Sequence, residues 1–178
     1  ELHTPQSYRP PTYWHEAVAR AFERYEVLKE ANNALDFDDL LLKAEQLFRE
    51  CDEVRQRYQH RYTHILVDEF QDTNRAQYEI VRQLVAGQRN VLVVGDEDQS
   101  IYSWRGADFR NVMRFRQDFP EARLILLEQN YRSTQTILTA ARAIIRRNLL
   151  RTDKALWTEN QGGAPIALFE AYDEREEA

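Results

Sequence analysis

The sequence predicts an α/β chain, a parallel sheet flanked by helices, and three observations carry that expectation. Ile65-Leu66-Val67 runs straight into Asp68 and Glu69, and the apolar run from Asn90 to Val94 leads into Gly95 and Asp96. Between them Tyr78, Val81, Leu84 and Val85 recur at three- and four-residue steps, the period of an amphipathic helix. A strand-helix-strand order whose strands both end in acids is a βαβ unit, with the two strands parallel and sharing the edge where open α/β sheets hold ligands. Both strands are all apolar, the pattern of strands buried on two faces.

The remaining elements follow in order. Residues 1 to 11 carry three prolines and read as a loop. From Thr12 to about Ala31 the spacing of Trp14, Val18, Phe22 (or Ala21), Tyr25 and Leu28 gives a first helix, which Asn32 and Asn33 stop. Asp36, with Asp39 three places on, sits as an N-cap, and Phe37, Leu40, Leu41, Ala44, Leu47 and Phe48 line one face of a second helix. The charged stretch from Asp52 to Arg61 forms a further short helix before the first strand. Gly87 marks the end of the helix that follows Asn74. Residues 97 to 105 are a polar-aromatic loop. Ala107 to Phe119 is a helix with Phe109, Val112, Met113 and Phe115 or Arg116 near its turn positions, closed by Pro120. Leu124 to Leu127 reads as a third strand. Ser133 caps a helix with Ile137, Leu138, Ala141, Ile144 and Ile145 on its buried side, running to about Leu149. Gly162-Gly163 turns the chain into a fourth strand, Pro165 to Phe169, and the acidic tail from Asp173 is the first turn of another helix.

Bulk properties exclude several classes. At 178 residues and 43% hydrophobic content the chain can bury a sizeable core. A net charge of −6 argues against coating nucleic acid by charge alone, so any such role must rest on particular residues. Cys51 is the single cysteine, which rules out an internal disulfide or a cysteine-cluster zinc site and agrees with a reducing compartment; the expected location is the cytoplasm. No apolar run has transmembrane length and no signal peptide is present, so no membrane partner is expected. His3, His15, His60 and His64 lack metal-ligand spacing. None of the lysines, Lys29, Lys43 and Lys154, follows a glycine, so the chain holds no phosphate-cradling G-x-x-x-x-G-K-[ST] loop. A nucleotide-using protein would be represented here by a fragment.

Chemistry gathers at the strand ends. A carboxylate at Asp68 can hold Mg2+ through its water shell, since this hard ion takes oxygen ligands and needs few from protein beside nucleotide phosphates. Glu69 is then available to orient and deprotonate the water that attacks a γ-phosphate. The alternative is that both acids merely end a strand. Gln99 offers a donor and an acceptor to a γ-phosphate or its attacking water. Tyr102, Trp104 and Arg105 either form a stacking platform for unpaired bases or pack into the core. In L-E-Q-N-Y-R-S-T, residues 127 to 134, Tyr131 can stack on a nucleobase and Arg132 can fork onto phosphate oxygens, or the tripeptide is only a loop with an exposed arginine. Arg142, Arg146, Arg147, Arg151 and Lys154 are a solvated face or a phosphate track.

The stretches D-E-F-Q-D-T-N, V-G-D-E-D-Q-S-I-Y-S-W-R-G-A and L-E-Q-N-Y-R-S-T resemble motifs II, III and IV of the UvrD/PcrA/Rep branch of superfamily 1 DNA helicases, in their usual order. Leu35 to Leu41 also resembles the segment preceding motif II, and Phe70 stands where tyrosine also occurs. The resemblance implies a RecA-like P-loop NTPase fold that is incomplete here: residues 1–31 the end of a helical insertion, 32–125 the second half of the first RecA-like domain, and 126–178 the beginning of the second. It implies Asp68 on Mg2+, Glu69 as catalytic base, Gln99 coupling the γ-phosphate to DNA, Tyr131 stacked on the adenine of ATP, and Arg132 as an arginine finger. Phe37, Tyr102, Trp104 and Arg105 would line the single-strand path. The phosphate loop, the early adenine motif and motifs V and VI are missing. The implied parent is a 3′-5′ DNA helicase or translocase acting in repair or replication restart, with single-stranded DNA, single-/double-strand junctions and the missing parts of the same helicase as partners. The isolated chain is expected not to hydrolyse ATP. Two other readings stand beside it: part of a recombination helicase-nuclease, or a non-catalytic single-strand DNA-binding module.

Overall fold

The computed structural model describes residue 5, residues 7–148 and residues 152–177. His3, the Leu149 helix end and Arg151 lie outside the described residues. The chain divides into two compact units, Glu1–Asp118 and Phe119–Ala178.

In the first unit α1 (Tyr13–Ala31), α2 (Phe37–Glu50) and α3 (Asp52–Arg61) precede β1 (Ile65–Val67). Asn32 ends α1, and Asn33 takes the left-handed conformation at φ 49° that an asparagine tolerates after a helix. The Asp36 cap forms as a reciprocal box: the Asp39 amide donates to Asp36 Oδ1 at 2.8 Å, and the Asp36 amide to Asp39 Oδ2 at 3.1 Å. Such a cap stabilises a helix by about 1 kcal/mol. Lys29 Nζ reaches Asp39 Oδ2 at 2.6 Å and Asp36 Oδ2 at 3.2 Å, pinning the end of α1 to the start of α2. Burial pushes the Lys29 ammonium toward neutrality, but its carboxylate partners outweigh that and hold its pKa up.

The expected βαβ unit is present. α4 (Arg75–Val85) joins β1 to β2 (Val91–Val93), and the strands pair in parallel, Ile65 with Val91, Leu66 with Leu92 and Val67 with Val93. Past the strands the pairing extends through Val94 N to Val67 O at 2.8 Å and Phe70 N to Val94 O at 2.9 Å. α4 leaves its apolar stripe against α2, and Tyr78, Val85, Phe48, Phe70 and Phe115 form the core. Phe70 meets Phe115 edge-on with centroids 5.7 Å apart, and Tyr78 donates to Asp118 Oδ2 at 2.6 Å.

Several expectations need correction here. The strands are not buried on two faces: Leu66 is 71% and Leu92 53% exposed, while Ile65, Val67, Val91 and Val93 on the other face are half-buried. α4 does end at Val85, just before Gly87 as expected, though the left-handed residue comes further on. That residue is Arg89, at φ 53°, whose amide donates to Val85 O at 2.7 Å. α5 runs from Arg110 to Asp118, not from Ala107, because Asp108 spends its amide on Thr73 O (3.0 Å) and uses Oδ1 to accept from the Arg110 amide (3.1 Å). In α1 and α2 the apolar faces are only partly covered; Trp14, Tyr25, Leu40 and Leu47 stay exposed.

In the second unit Leu124–Leu127 and Pro165–Phe169 are extended but not strands. Neither run finds a partner backbone among the described residues, and an apolar run without one cannot form a ladder. The pairing that does form is a single parallel bridge, Gln129 to Trp157, closed by Trp157 N to Glu128 O at 2.9 Å and Asn130 N to Trp157 O at 2.8 Å. α6 (Gln135–Ile145) starts from Thr134, not Ser133. The Ser133 amide is instead taken by Asn130 Oδ1 at 2.7 Å, which also accepts from the Arg132 amide at 3.0 Å. Of the expected buried stripe only Leu138 is fully buried. Gly163, at φ 111°, passes so close to Thr134 that a Cβ there would stand 2.8 Å from Oγ1. α7 (Glu174–Glu177) begins where Asp173 Oδ1 accepts from the amides of Arg175 and Glu176.

Candidate functional site

β1 delivers Asp68 and Glu69 at its C-terminal end, and the parallel β2 delivers Gly95 and Asp96 beside them. Asp68 is exposed and turns Oδ1 back onto the Glu69 amide at 2.9 Å. Glu69 sits in the left-handed region at φ 49°, ψ 43°, a conformation that costs a non-glycine residue roughly 1–2 kcal/mol. Strain of that size persists only where neighbours hold it. Here the chain drops at once into a 3-10 turn, Phe70–Asp72, whose first side chain is sealed in the core and whose second, Gln71, bonds back to Glu69 Oε2 at 2.8 Å.

Gln71 also spans the two strand ends. Its Oε1 accepts the Asp96 amide at 3.0 Å, and its Nε2 reaches Asp72 Oδ2 at 3.3 Å. Gly95 makes that approach possible, since a Cβ there would stand 2.7 Å from Gln71 Oε1. Asp96 then caps the 3-10 turn Glu97–Gln99, with Oδ1 accepting the Asp98 amide at 3.0 Å and Oδ2 accepting Gln99 Nε2 at 2.8 Å. Asp68, Glu69 and Gln99 thus belong to one hydrogen-bonded edge, and the Gln99 carbonyl oxygen accepts no hydrogen bond among the described residues.

The donor set at this edge is oxygen only, with one Asp68 oxygen not engaged by any hydrogen bond among the described residues. That chemistry fits a hard, strongly hydrated cation such as Mg2+ better than a soft metal. No group of three or more His, Cys, Asp or Glu arranged to hold a metal by themselves occurs among the described residues, so such an ion would need ligands from a bound phosphate or water.

The loop then leads away from the acids. Tyr102 and Trp104 are exposed, Trp104 at 73%, which excludes the core-packing alternative. Their ring centroids stand 6.4 Å apart, and the Arg105 guanidinium lies over both, 5.6 Å and 4.7 Å from the ring centres. The two rings are tilted 55° to one another, so together with the guanidinium they offer exposed ring edges and faces beside a positive charge, the groups that unpaired bases stack on. Gly106 ends the 3-10 turn Ser103–Arg105 at φ 86°. The loop is anchored at its far end by Asn111, fully buried, whose Nδ2 donates to Thr73 O at 2.9 Å and Asn74 O at 3.3 Å while Oδ1 accepts from Arg114 at 2.7 Å. Beside it burial pushes the Asp108 carboxyl up, but hydrogen bonds from Arg110 and Arg114 outweigh it and hold the pKa at about 2.

Other named residues fall elsewhere. Phe37 opens α2 at 89% exposure, and no ring contact joins it to Tyr102 or Trp104. In the second unit Tyr131 is 79% exposed and donates to Gln129 Oε1 at 2.8 Å. The Arg132 guanidinium makes no hydrogen bond or ion pair among the described residues. Arg142 leaves the basic run by turning Nη1 toward Leu156 O at 3.4 Å. Sequence reasoning passed over Gln71, Asn111 and Trp157. Gln71 and Asn111 are uncharged amides whose partners are set by tertiary approach, and the one available signal was the position of Gln71 inside D-E-F-Q-D.

Comparisons with known proteins bear on the whole chain. Residues 2–120 match the model of the UvrD/REP helicase N-terminal domain, and residues 125–178 that of the UvrD-like helicase C-terminal domain. The chain is 48% identical over its full length to the ATP-dependent DNA helicase PcrA of Staphylococcus aureus strain Mu50, and 47% to that of Staphylococcus epidermidis strain RP62A. It covers 25% of each of those proteins, so the chain spans about a quarter of the length of the curated relatives it matches. No helix among the described residues is long and apolar enough to cross a membrane.

Proposed function

This chain belongs to the UvrD/REP helicase family, and we propose that it is a section of an ATP-dependent DNA helicase that moves 3′-5′ on single-stranded DNA. The observation that carries the proposal is the shared edge: Glu69, next to Asp68 at the end of β1, is joined through Gln71 to the Gln99 loop that follows β2, and the same loop continues into exposed rings. Residues 32–125 would form the second half of a RecA-like ATPase domain and residues 126–178 the start of the next, with residues 1–31 closing a helical insertion.

In this reading Asp68 would hold Mg2+, which supplies charge neutralisation on the phosphates of ATP. Glu69 orients the attacking water and takes its proton. Gln99, held by Asp96, uses its carbonyl to register the water or γ-phosphate and passes that state to the loop that follows. Tyr131 and Arg132 serve adenine and γ-phosphate, while Tyr102, Trp104 and Arg105, with Phe37, receive single-stranded DNA. The chain carries no glycine-lysine phosphate loop, so by itself it does not turn over ATP.

The test is Glu69→Gln in the full-length protein. Steady-state phosphate release falls roughly 10²- to 10⁴-fold, the usual contribution of a general base, while ATP and single-strand DNA still bind. Turnover at the wild-type rate in that variant overturns the assignment.

A further inference from the structure

One buried amide at the shared edge has no part in the roles above. Gln71 is 1% exposed, yet both polar atoms of its amide are hydrogen-bonded. Its nitrogen donates to Glu69 Oε2 and Asp72 Oδ2, and its oxygen accepts from the Asp96 amide. We propose that Gln71 is a positioning residue for ATP hydrolysis: it fixes the Glu69 carboxylate for water activation and ties it to the loop that carries Gln99. The inference rests on the reading of Glu69 as the general base.

Three features argue for this over plain core packing. A space-filling role at a buried site is served by an apolar side chain, whereas a buried amide is tolerated only when its partners are all in place. Here those partners are a proposed catalytic acid, its neighbouring acid and the cap of the proposed sensor loop. Second, Glu69 holds a left-handed backbone, so its side chain leaves the strand in a direction the strand itself does not set; the bond from Gln71 is the side-chain contact that fixes where the carboxylate ends. Third, the space for the amide is made by Gly95, where a Cβ would approach Gln71 Oε1 to 2.7 Å.

The result is a continuous path, Glu69 to Gln71 to the Asp96 amide, and from the Asp96 carboxylate to Gln99. A displacement of Gln99 by nucleotide therefore reaches Glu69 through three hydrogen bonds, the Asp96 residue and the Gln71 side chain. Asp72 adds a second reason for a donor at this point. Its Oδ2 accepts from the same Gln71 nitrogen that bonds Glu69, so the amide sits between the two carboxylates, while Asp72 Oδ1 is buried with no hydrogen-bond partner among the described residues.

The experiment is a double-mutant cycle in the full-length helicase, with DNA-stimulated ATP hydrolysis as readout. Gln71→Met keeps length and removes every hydrogen bond; Gln71→Leu removes them with a shorter apolar side chain, and it carries the test if the methionine variant does not fold. In a folded variant kcat falls about 30- to 100-fold while KM for ATP changes less than about threefold. In a Glu69→Gln background the same change at Gln71 lowers residual hydrolysis by less than about threefold, since it has no base left to position. An equal loss in both backgrounds overturns the proposal by making Gln71 a structural residue, and so does a wild-type kcat in both Gln71 variants. Failure of the underlying reading is a separate outcome: there Glu69→Gln alone leaves turnover intact.

Discussion

The two ends of the stretch from Asp68 to Gly106 are built in opposite ways. At the acid end each side chain is tied to the next, Glu69 and Asp96 through the buried Gln71 and Gln99 through Asp96. At the aromatic end Tyr102, Trp104 and Arg105 touch chiefly one another and stand in solvent. The difference follows from what each end has to do. Chemistry on a phosphate needs atoms held to a fraction of an ångström, whereas stacking on a base of any kind needs an open face and tolerates movement. Between them Thr73 and Asn74 are gripped by Asn111, so the loop is anchored at both ends.

That contrast can be broken or sharpened by mutation. The largest effect belongs to the acid end, where Glu69→Gln costs turnover by the factor given above and leaves DNA affinity within about threefold of wild type by filter binding. Next is Trp104→Ala in the full-length protein, which weakens single-strand DNA binding by roughly 1–3 kcal/mol, read as a rise in the Kd for a labelled oligonucleotide. Loss of DNA affinity in the first variant, or none in the second, erases the distinction between the ends. Asn111→Ala acts on the anchor: it removes the side-chain donor to the carbonyls of Thr73 and Asn74, which keep only the backbone amides of Asp108 and Tyr78, deprives Arg114 of an acceptor, and lowers unfolding stability by about 1–3 kcal/mol in urea titration. The smallest effect is on acid stability. Because the folded Asp108 carboxyl is held at about 2, below its ordinary value of 3.8, its contribution is complete above roughly pH 4 and disappears as pH falls toward 2. Asp108→Asn should flatten that part of a stability-against-pH curve.

What was legible in the sequence was local. Asp36 with Asp39 announced a capping box, Asn32-Asn33 a helix end, and two apolar runs ending in acids a parallel pair. Those features are decided within a few residues or by an obvious partner. Leu124–Leu127 and Pro165–Phe169 are apolar as well, but a strand exists only when another backbone lies beside it, and propensity carries no information about that partner. The open face of Leu66 and Leu92 was misread for the same reason: an apolar pattern states what a residue prefers, not which neighbour covers it. At the candidate site, Asp68, Glu69, Gln99 and Trp104 stand out in the sequence because two apolar runs end in acids, a ring-bearing loop follows the second, and all four fall in the motifs that carry the family resemblance. Gln71 was not, since an amide declares its partners only after Gly95 and Asp96 have folded against it. The left-handed Glu69 was equally hidden, being set by Phe70 sinking into the core on the next residue.

The most direct test measures both functions in both variants: ATP turnover and single-strand DNA Kd for full-length Glu69→Gln and Trp104→Ala. If the acid edge serves ATP and the ring loop serves DNA, Glu69→Gln loses turnover roughly 10²-fold or more with DNA binding retained. Trp104→Ala then weakens DNA binding while hydrolysis at saturating DNA stays within about tenfold of wild type. Losses of turnover and affinity by the same factor in both variants would contradict the division of labour between the two ends.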